Sequence, residues 1–190
     1  MKTLHPSLLG LALLVGATDL LVKGVALALL GLPLLGLFGL ALPLLDRHLQ
    51  GAAHWLAALL LAALLVSLGN LLLQAGAFEL HRALGPFAYL LVLPCLQLAR
   101  QERQDAFEGV RAGLALALLA LPLAALREIL GQGSLLAHAD WLLGPGAATW
   151  RLELDGAGIP LFALAPGAFI LLGTLLALWR HLTTTRTDSR

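Results

Sequence analysis

The stretch "AAHWLAALLLAALLVSLGNLLL", Ala52–Leu73, contains no Asp, Glu, Lys or Arg. An α-helix needs about 20 consecutive apolar residues to cross the hydrocarbon core of a bilayer, and this stretch supplies them. Five more apolar segments flank it, at approximately Leu8–Leu21, Val25–Leu45, Gly85–Leu98, Val110–Leu126 and Ile159–Leu178. The second, third and sixth of the resulting six reach spanning length and the fifth nearly does. The first and fourth are short.

Composition agrees with that reading. The chain of 190 residues is 59% hydrophobic and 12% charged, with a mean hydropathy of +0.90. A soluble domain is nearer half apolar and a quarter charged. The expected fold class is therefore an all-α polytopic membrane protein. A net charge of +1 offers no basic field for nucleic acid. The single cysteine, Cys95, excludes an internal disulfide or a CxxC site, so a metal or cluster held there needs ligands from another chain. Lys2 and the small residues of Val15–Ala17 imitate a signal peptide, but the start is weakly basic and further apolar segments follow. The first segment is read as retained.

The segments repeat as short, long, long and again short, long, long. "GVALALLGL" at Gly24–Leu32 matches "GLALALLAL" at Gly113–Leu121. The expected organisation is one membrane domain, residues 1–180, followed by a polar tail at 181–190. It divides into two three-helix repeats of about 8–75 and 84–180, with short half-helices as the first and fourth segments. An N-terminus inside leaves eight basic residues cytoplasmic (Lys2, Arg47, Arg100, Arg103, Arg111, Arg180, Arg186, Arg190) and four outside (Lys23, Arg82, Arg127, Arg151). That bias puts both termini in the cytoplasm, and three segments per half make the repeats inverted. Paired short segments in inverted halves point to a functional site near the midplane, and Cys95 lies in one of them. The alternative is two ordinary tilted helices.

Polar residues are few enough to weigh singly. Asp19 and Lys23 share a helix face and could pair at the outer surface. Ser67, Asn70 and Gln74 line one side of the third segment, where such residues join helices by hydrogen bonds. His54, Trp55, Trp141 and Trp150 read as interface anchors. No two histidines stand four apart as in a helical metal site. The connection Gly131–Gly158 is the longest polar-leaning one, with room for a short interfacial helix. In "REILGQGSLL", Arg127–Leu136, Arg127 and Glu128 end the fifth segment, and Gly131 and Gly133 permit the positive φ that stops a helix. A juxtamembrane charge pair with a C-cap accounts for this locally. Glu102 and Glu108 border the charged loop Arg100–Arg111, where solvated charge competes with a buried, cation-binding carboxylate.

"ALREILGQGSLL", "PGAFILLGTLLA" (Pro166–Ala177), "EGVRAG" (Glu108–Gly113, at an ungapped distance from Arg127) and "LGPFAYLLVLPCLQLARQE" (Leu84–Glu102) resemble the E subunit of the Rnf ion-translocating electron-transport complex. That family is related to the D subunit of the sodium-pumping NADH:quinone reductase. The resemblance is strong from Leu84 onward and weak before it. It implies six helices in inverted repeats and a sister subunit of opposite orientation, the A subunit, beside other subunits (B, C, D and G) in a bacterial inner membrane. It also implies a [2Fe–2S] cluster shared with the sister subunit, two cysteines from each, relaying electrons between cytoplasmic iron–sulfur proteins and an extracytoplasmic flavin subunit. Soft thiolates suit iron that changes redox state. Cys95 falls on the family's second cysteine, and Ala12 stands where the first should be. Leu93 and Pro94 replace a polar pair.

The expected function is thus that of a membrane subunit coupling electron transfer to cation translocation, with Cys95 a cluster ligand. Glu102, Glu108, Arg127 and Glu128 are candidates for an ion path or a structural role. The chain is expected to be an electron-relay or non-catalytic subunit of a translocase-type oxidoreductase complex. Two alternatives stay open: a paralogue that lacks the cluster and serves assembly, or a small stand-alone transporter.

Overall fold

A computed structural model describes residues 8–100, 107–153 and 158–185. Apolar helices dominate it. Helix α1, Leu8–Ala17, is short. Helix α2, Leu21–His48, runs through Pro33 and Pro43. Helix α3 covers Ala52–Gly76. A broken helical run then carries α4 (Phe78–Leu84), a 3-10 stretch (Gly85–Leu91) and α5 (Val92–Ala99). Helix α6 is Glu108–Gln132. Beyond it come α7 (Asp140–Leu143), α8 (Pro160–Ala163) and α9 (Ala165–Thr185). Among the described residues four runs are long and apolar enough to cross a membrane: α2, α3, Phe78–Ala99 and α6.

The centre of the fold is the antiparallel pair α2 and α6, and glycine sets its closeness. A Cβ on Gly24 would stand 2.6 Å from the Ala124 methyl, and one on Gly39 would stand 2.7 Å from Gly109 Cα. The start of α2 thus meets the end of α6, and the end of α2 meets its start. Small residues let apolar helices approach where lipid offers no hydrophobic drive for association. Phe38, Leu35, Leu27, Leu123 and Ala120 fill the core around this seam. Helix α3 covers one side through Ala58, Ala62 and Val66 and turns Leu56, Leu60, Leu64 and Leu72 outward, as a lipid- or subunit-facing helix does.

Several boundaries differ from the sequence reading, each for a physical reason. The fourth segment begins at Phe78, not Gly85, and is interrupted rather than short. Gly85 takes φ +52° and Pro86 removes a backbone donor, so regular α geometry tightens into the 3-10 stretch. Helix α6 continues through Arg127, Glu128 and Gly131, because tertiary partners satisfy the two charges. Gly133, at φ +63°, is the residue that ends it. The sixth segment breaks at Leu164, between Pro160 and Pro166. The Gly131–Gly158 connection holds the short α7 and a two-stranded antiparallel ladder, β1 (Ser134–Leu135) with β2 (Leu152–Glu153). Among the described residues this clip is the one departure from helical secondary structure. Helix α9 runs on to Thr185, into the polar tail. Residues 186–190 lie outside the described residues.

Candidate functional site

Arg127 and Glu128 occupy the last turns of α6 and are 2% and 0% exposed. Buried charges need full hydrogen bonding, and each finds it separately. The Arg127 guanidinium donates from Nη1 to Val15 O (2.8 Å) and Thr18 Oγ1 (3.1 Å), from Nη2 to Ala163 O (2.9 Å), and from Nε to Phe162 O (3.3 Å). The Thr18 hydroxyl donates its own hydrogen bond to Leu14 O, which leaves its oxygen lone pairs to accept. The Glu128 carboxylate accepts from Leu21 N (2.6 Å, Oε2) and Ala137 N (2.7 Å, Oε1). Both oxygens therefore act as acceptors, as the ionised form allows.

The charges match the helix ends they meet. The guanidinium sits on terminal carbonyls of α1 and α8, where helix dipoles present negative charge. The carboxylate sits on the first N–H of α2, where they present positive charge. Two residues adjacent in sequence thus join α1, α2, α6, α8 and the Gly131–Gly158 connection at one point.

Glycine positions make the junction possible. Gly24, one turn into α2, rests on Ala124, one turn before Glu128, and so brings Leu21 within reach. Gly131, one turn beyond Arg127, lets the backbone of Ala163 approach; a Cβ there would be 2.8 Å from Ala163 N. Gly158 lies against the Gly131 carbonyl, and Ile159 N donates to Leu130 O at 2.8 Å. Gly167 leaves room for α8 to fold back over α9. Leu136 adopts φ +58°, a strained value for a side-chain-bearing residue. This turn directs the next amide, Ala137, at Glu128.

The charge-pair reading of Arg127 and Glu128 is corrected here, since neither bonds to the other. The partners come from residues up to 112 positions away in sequence, so local reading could not supply them. The glycines and the Pro160/Pro166 break were the available signal.

The other candidates lie apart from the junction. Glu108 opens α6 and is half-buried, and its Oε2 has no hydrogen-bond partner among the described residues. It stands roughly 30 Å from Arg127 by helical rise. Glu102 lies outside the described residues. Asp19 and Lys23 pair as expected at 2.8 Å. Of Ser67, Asn70 and Gln74 only Asn70 is buried, and its Oδ1 has no partner among the described residues. Helical spacing aligned the three but did not place the whole row inward. His54 Nε2 lies 2.7 Å from Asp46 Oδ1, and Arg100 lies 5.8 Å from the centroid of the Trp55 ring.

Cys95 is 0% exposed in α5, within the core, whereas Ala12 on α1 is exposed. A cluster shared between subunits needs thiolates that reach the subunit surface. The chain has one thiol and it is covered. Among the described residues no three of His, Cys, Asp or Glu come together. The residues present do not fit a [2Fe–2S] cluster with two ligands from each partner.

Comparison with known proteins adds the family. The model of the Rnf-Nqr subunit family, described as membrane proteins, matches residues 3–176. The E subunit of the ion-translocating oxidoreductase complex of Pseudomonas paraeruginosa (strain DSM 24068 / PA7) is 38% identical over 181 residues, covering 90% of this chain and 76% of that relative. Its counterpart in Pseudomonas aeruginosa (strain LESB58) is 37% identical with the same coverage. That of Cellvibrio japonicus (strain Ueda107) is 33% identical, again covering 90% and 76%.

Proposed function

The chain belongs to the Rnf-Nqr family of membrane subunits, and on that premise we propose that it is an integral subunit of an ion-translocating electron-transport complex. The observation that carries this is the match along nearly the whole chain to subunits of that name. Its place is a bacterial inner membrane with both termini cytoplasmic, in keeping with the two-to-one bias of basic residues. Its partners are an A-type sister subunit and the B, C, D and G subunits.

The proposed architecture is a pair of inverted three-helix repeats. Reciprocal contacts support it. The register that sets Gly24 on Gly113 also sets Gly31 on Ala120. A Cβ on Gly24 would lie 3.3 Å from Ala120 O, and one on Gly113 would lie 3.4 Å from Gly31 O. Such an exchange is what a two-fold axis between antiparallel helices produces. The first elements of the two halves also meet, with Gly16 on α1 admitting the ring of Phe87.

Within the complex, the favoured role is structural: the chain holds its neighbours without contributing an iron ligand. The burial of Cys95 and the alanine at position 12 favour this over the electron relay. Affinity purification of the tagged chain from its native membranes tests membership. Other subunits of the oxidoreductase are expected to co-purify, and recovery of the chain alone would overturn it. Iron content of the Cys95→Ser complex tests the role. It is expected to equal that of the unaltered complex, and loss of iron would restore Cys95 as a ligand.

A further inference from the structure

The surroundings of Arg127 are those of a cation site rather than an ion pair. Its positive charge is 2% exposed, and no carboxylate oxygen lies within 4.0 Å of it among the described residues, although Asp19 acts on it through space. Neutral oxygens surround it instead: three backbone carbonyls and the Thr18 hydroxyl, at 2.8 to 3.3 Å. They come from segments far apart in sequence, around Val15, Thr18 and Phe162–Ala163. Two of the contributing helices, α1 and α8, end there. Broken helices in membrane proteins use such terminal carbonyls to replace the hydration shell of a small cation.

We propose that this oxygen cage is a binding site for a guanidinium-type cation, and that the chain fills it with its own side chain. The guanidinium is the resident cation, tethered by α6. Three features support this over a mere packing contact. The cage oxygens meet four of the five guanidinium N–H groups, the full set except one on Nη2. Glu128, the adjacent anion, is committed elsewhere, to the amides of Leu21 and Ala137, so the cage supplies all the direct hydrogen bonds to the charge. The backbone is shaped for the site: Gly131, Gly158 and Gly167 admit the approach that brings two α8 carbonyls to one point. A fixed positive charge also repels other cations. The inference stands whether or not the chain joins the proposed complex.

The test uses the full chain in detergent, with thermal unfolding followed by labelling of buried Cys95 with a fluorescent maleimide. Arg127→Ala is expected to melt earlier than the unaltered chain. Guanidinium chloride well below denaturing concentrations is expected to recover most of that loss, saturably, while NaCl and urea at the same concentration recover less. The unaltered chain should gain nothing. A folded Arg127→Ala protein with no saturable response to guanidinium would overturn the proposal, as would an equal response in the unaltered chain. Arg127→Lys and Arg127→Met keep the question decidable if the alanine variant does not fold. Lysine retains a cation for the cage and methionine does not, so Lys must melt above Met. A Met variant equal to or more stable than Lys overturns the cage.

Discussion

Replacing Glu128 by glutamine keeps the shape of the side chain and removes one acceptor. Glutamine has a single carbonyl oxygen. Leu21 N and Ala137 N approach different oxygens of Glu128, at 2.6 and 2.7 Å. In either amide orientation one backbone N–H therefore faces an NH2 group. A hydrogen bond to a charged partner contributes about 1.5–3 kcal/mol, and a buried donor left unpaired costs about 1–3 kcal/mol. Release of the desolvation cost of a buried carboxylate offsets part of this. The net loss is about 2–4 kcal/mol. For a chain of this length each kcal/mol moves Tm by about 2–4 °C, so Tm should fall by roughly 5–15 °C. Cys95 is the sole thiol and is buried, so maleimide labelling in detergent reads unfolding directly. Hydrogen exchange gives a local check: amides 21 and 137 should lose protection while the seam of α2 and α6 keeps it. A Tm within about 2 °C of the unaltered protein, with both amides still protected, would refute the assignment of Glu128 as the clasp on α2 and the Gly131–Gly158 connection.

Other outcomes follow from the same packing. Gly109→Ala should destabilise by about 1–3 kcal/mol through overpacking, because its Cβ would collide with Leu35 O. Gly173→Ala, with nothing within 4 Å, should be neutral or stabilising by up to about 1 kcal/mol from helix propensity. Thermal melts of the two variants in parallel check the contrast. Leu136→Gly relieves the φ of +58° and loses a half-buried side chain, so its stability should change by less than about 1 kcal/mol. A melt several degrees lower would show that packing outweighs the strain. Asn70→Leu removes a buried oxygen that lacks a partner among the described residues and should hold or raise Tm in the isolated chain. A fall in Tm would assign Asn70 a bonding role.

Much of the architecture was legible because the bilayer imposes it. A segment such as Ala52–Leu73 must be helical in lipid, since only an internal hydrogen-bond pattern satisfies its backbone there. Asp19 and Lys23 were legible for a related reason: helical spacing alone brings them together. The fourth segment shows the limit. Its apolar run indicated a helix, but the tightened stretch at Gly85–Leu91 depends on a glycine φ and a proline whose effects act through backbone geometry. Ser67 and Gln74 show another limit, because an even coating of leucine gives no hydrophobic stripe to say which side faces inward.

The amino-acid sequence by itself determined that this chain is a helical membrane protein, roughly where its long apolar helices lie and that it carries one cysteine. Those properties follow from local composition and the cost of burying backbone in lipid. Only the tertiary structure decided what the charged residues do. Arg127 and Glu128 stand side by side and look like a pair, yet one serves carbonyls of α1 and α8 and the other serves amides of α2 and the Gly131–Gly158 connection. Their partners lie up to 112 residues away, and the glycine contacts that bring them close are a property of helix packing. The same holds for Cys95: its identity was legible, but its burial, and with it its misfit to a shared cluster, arises only when the helices close around it.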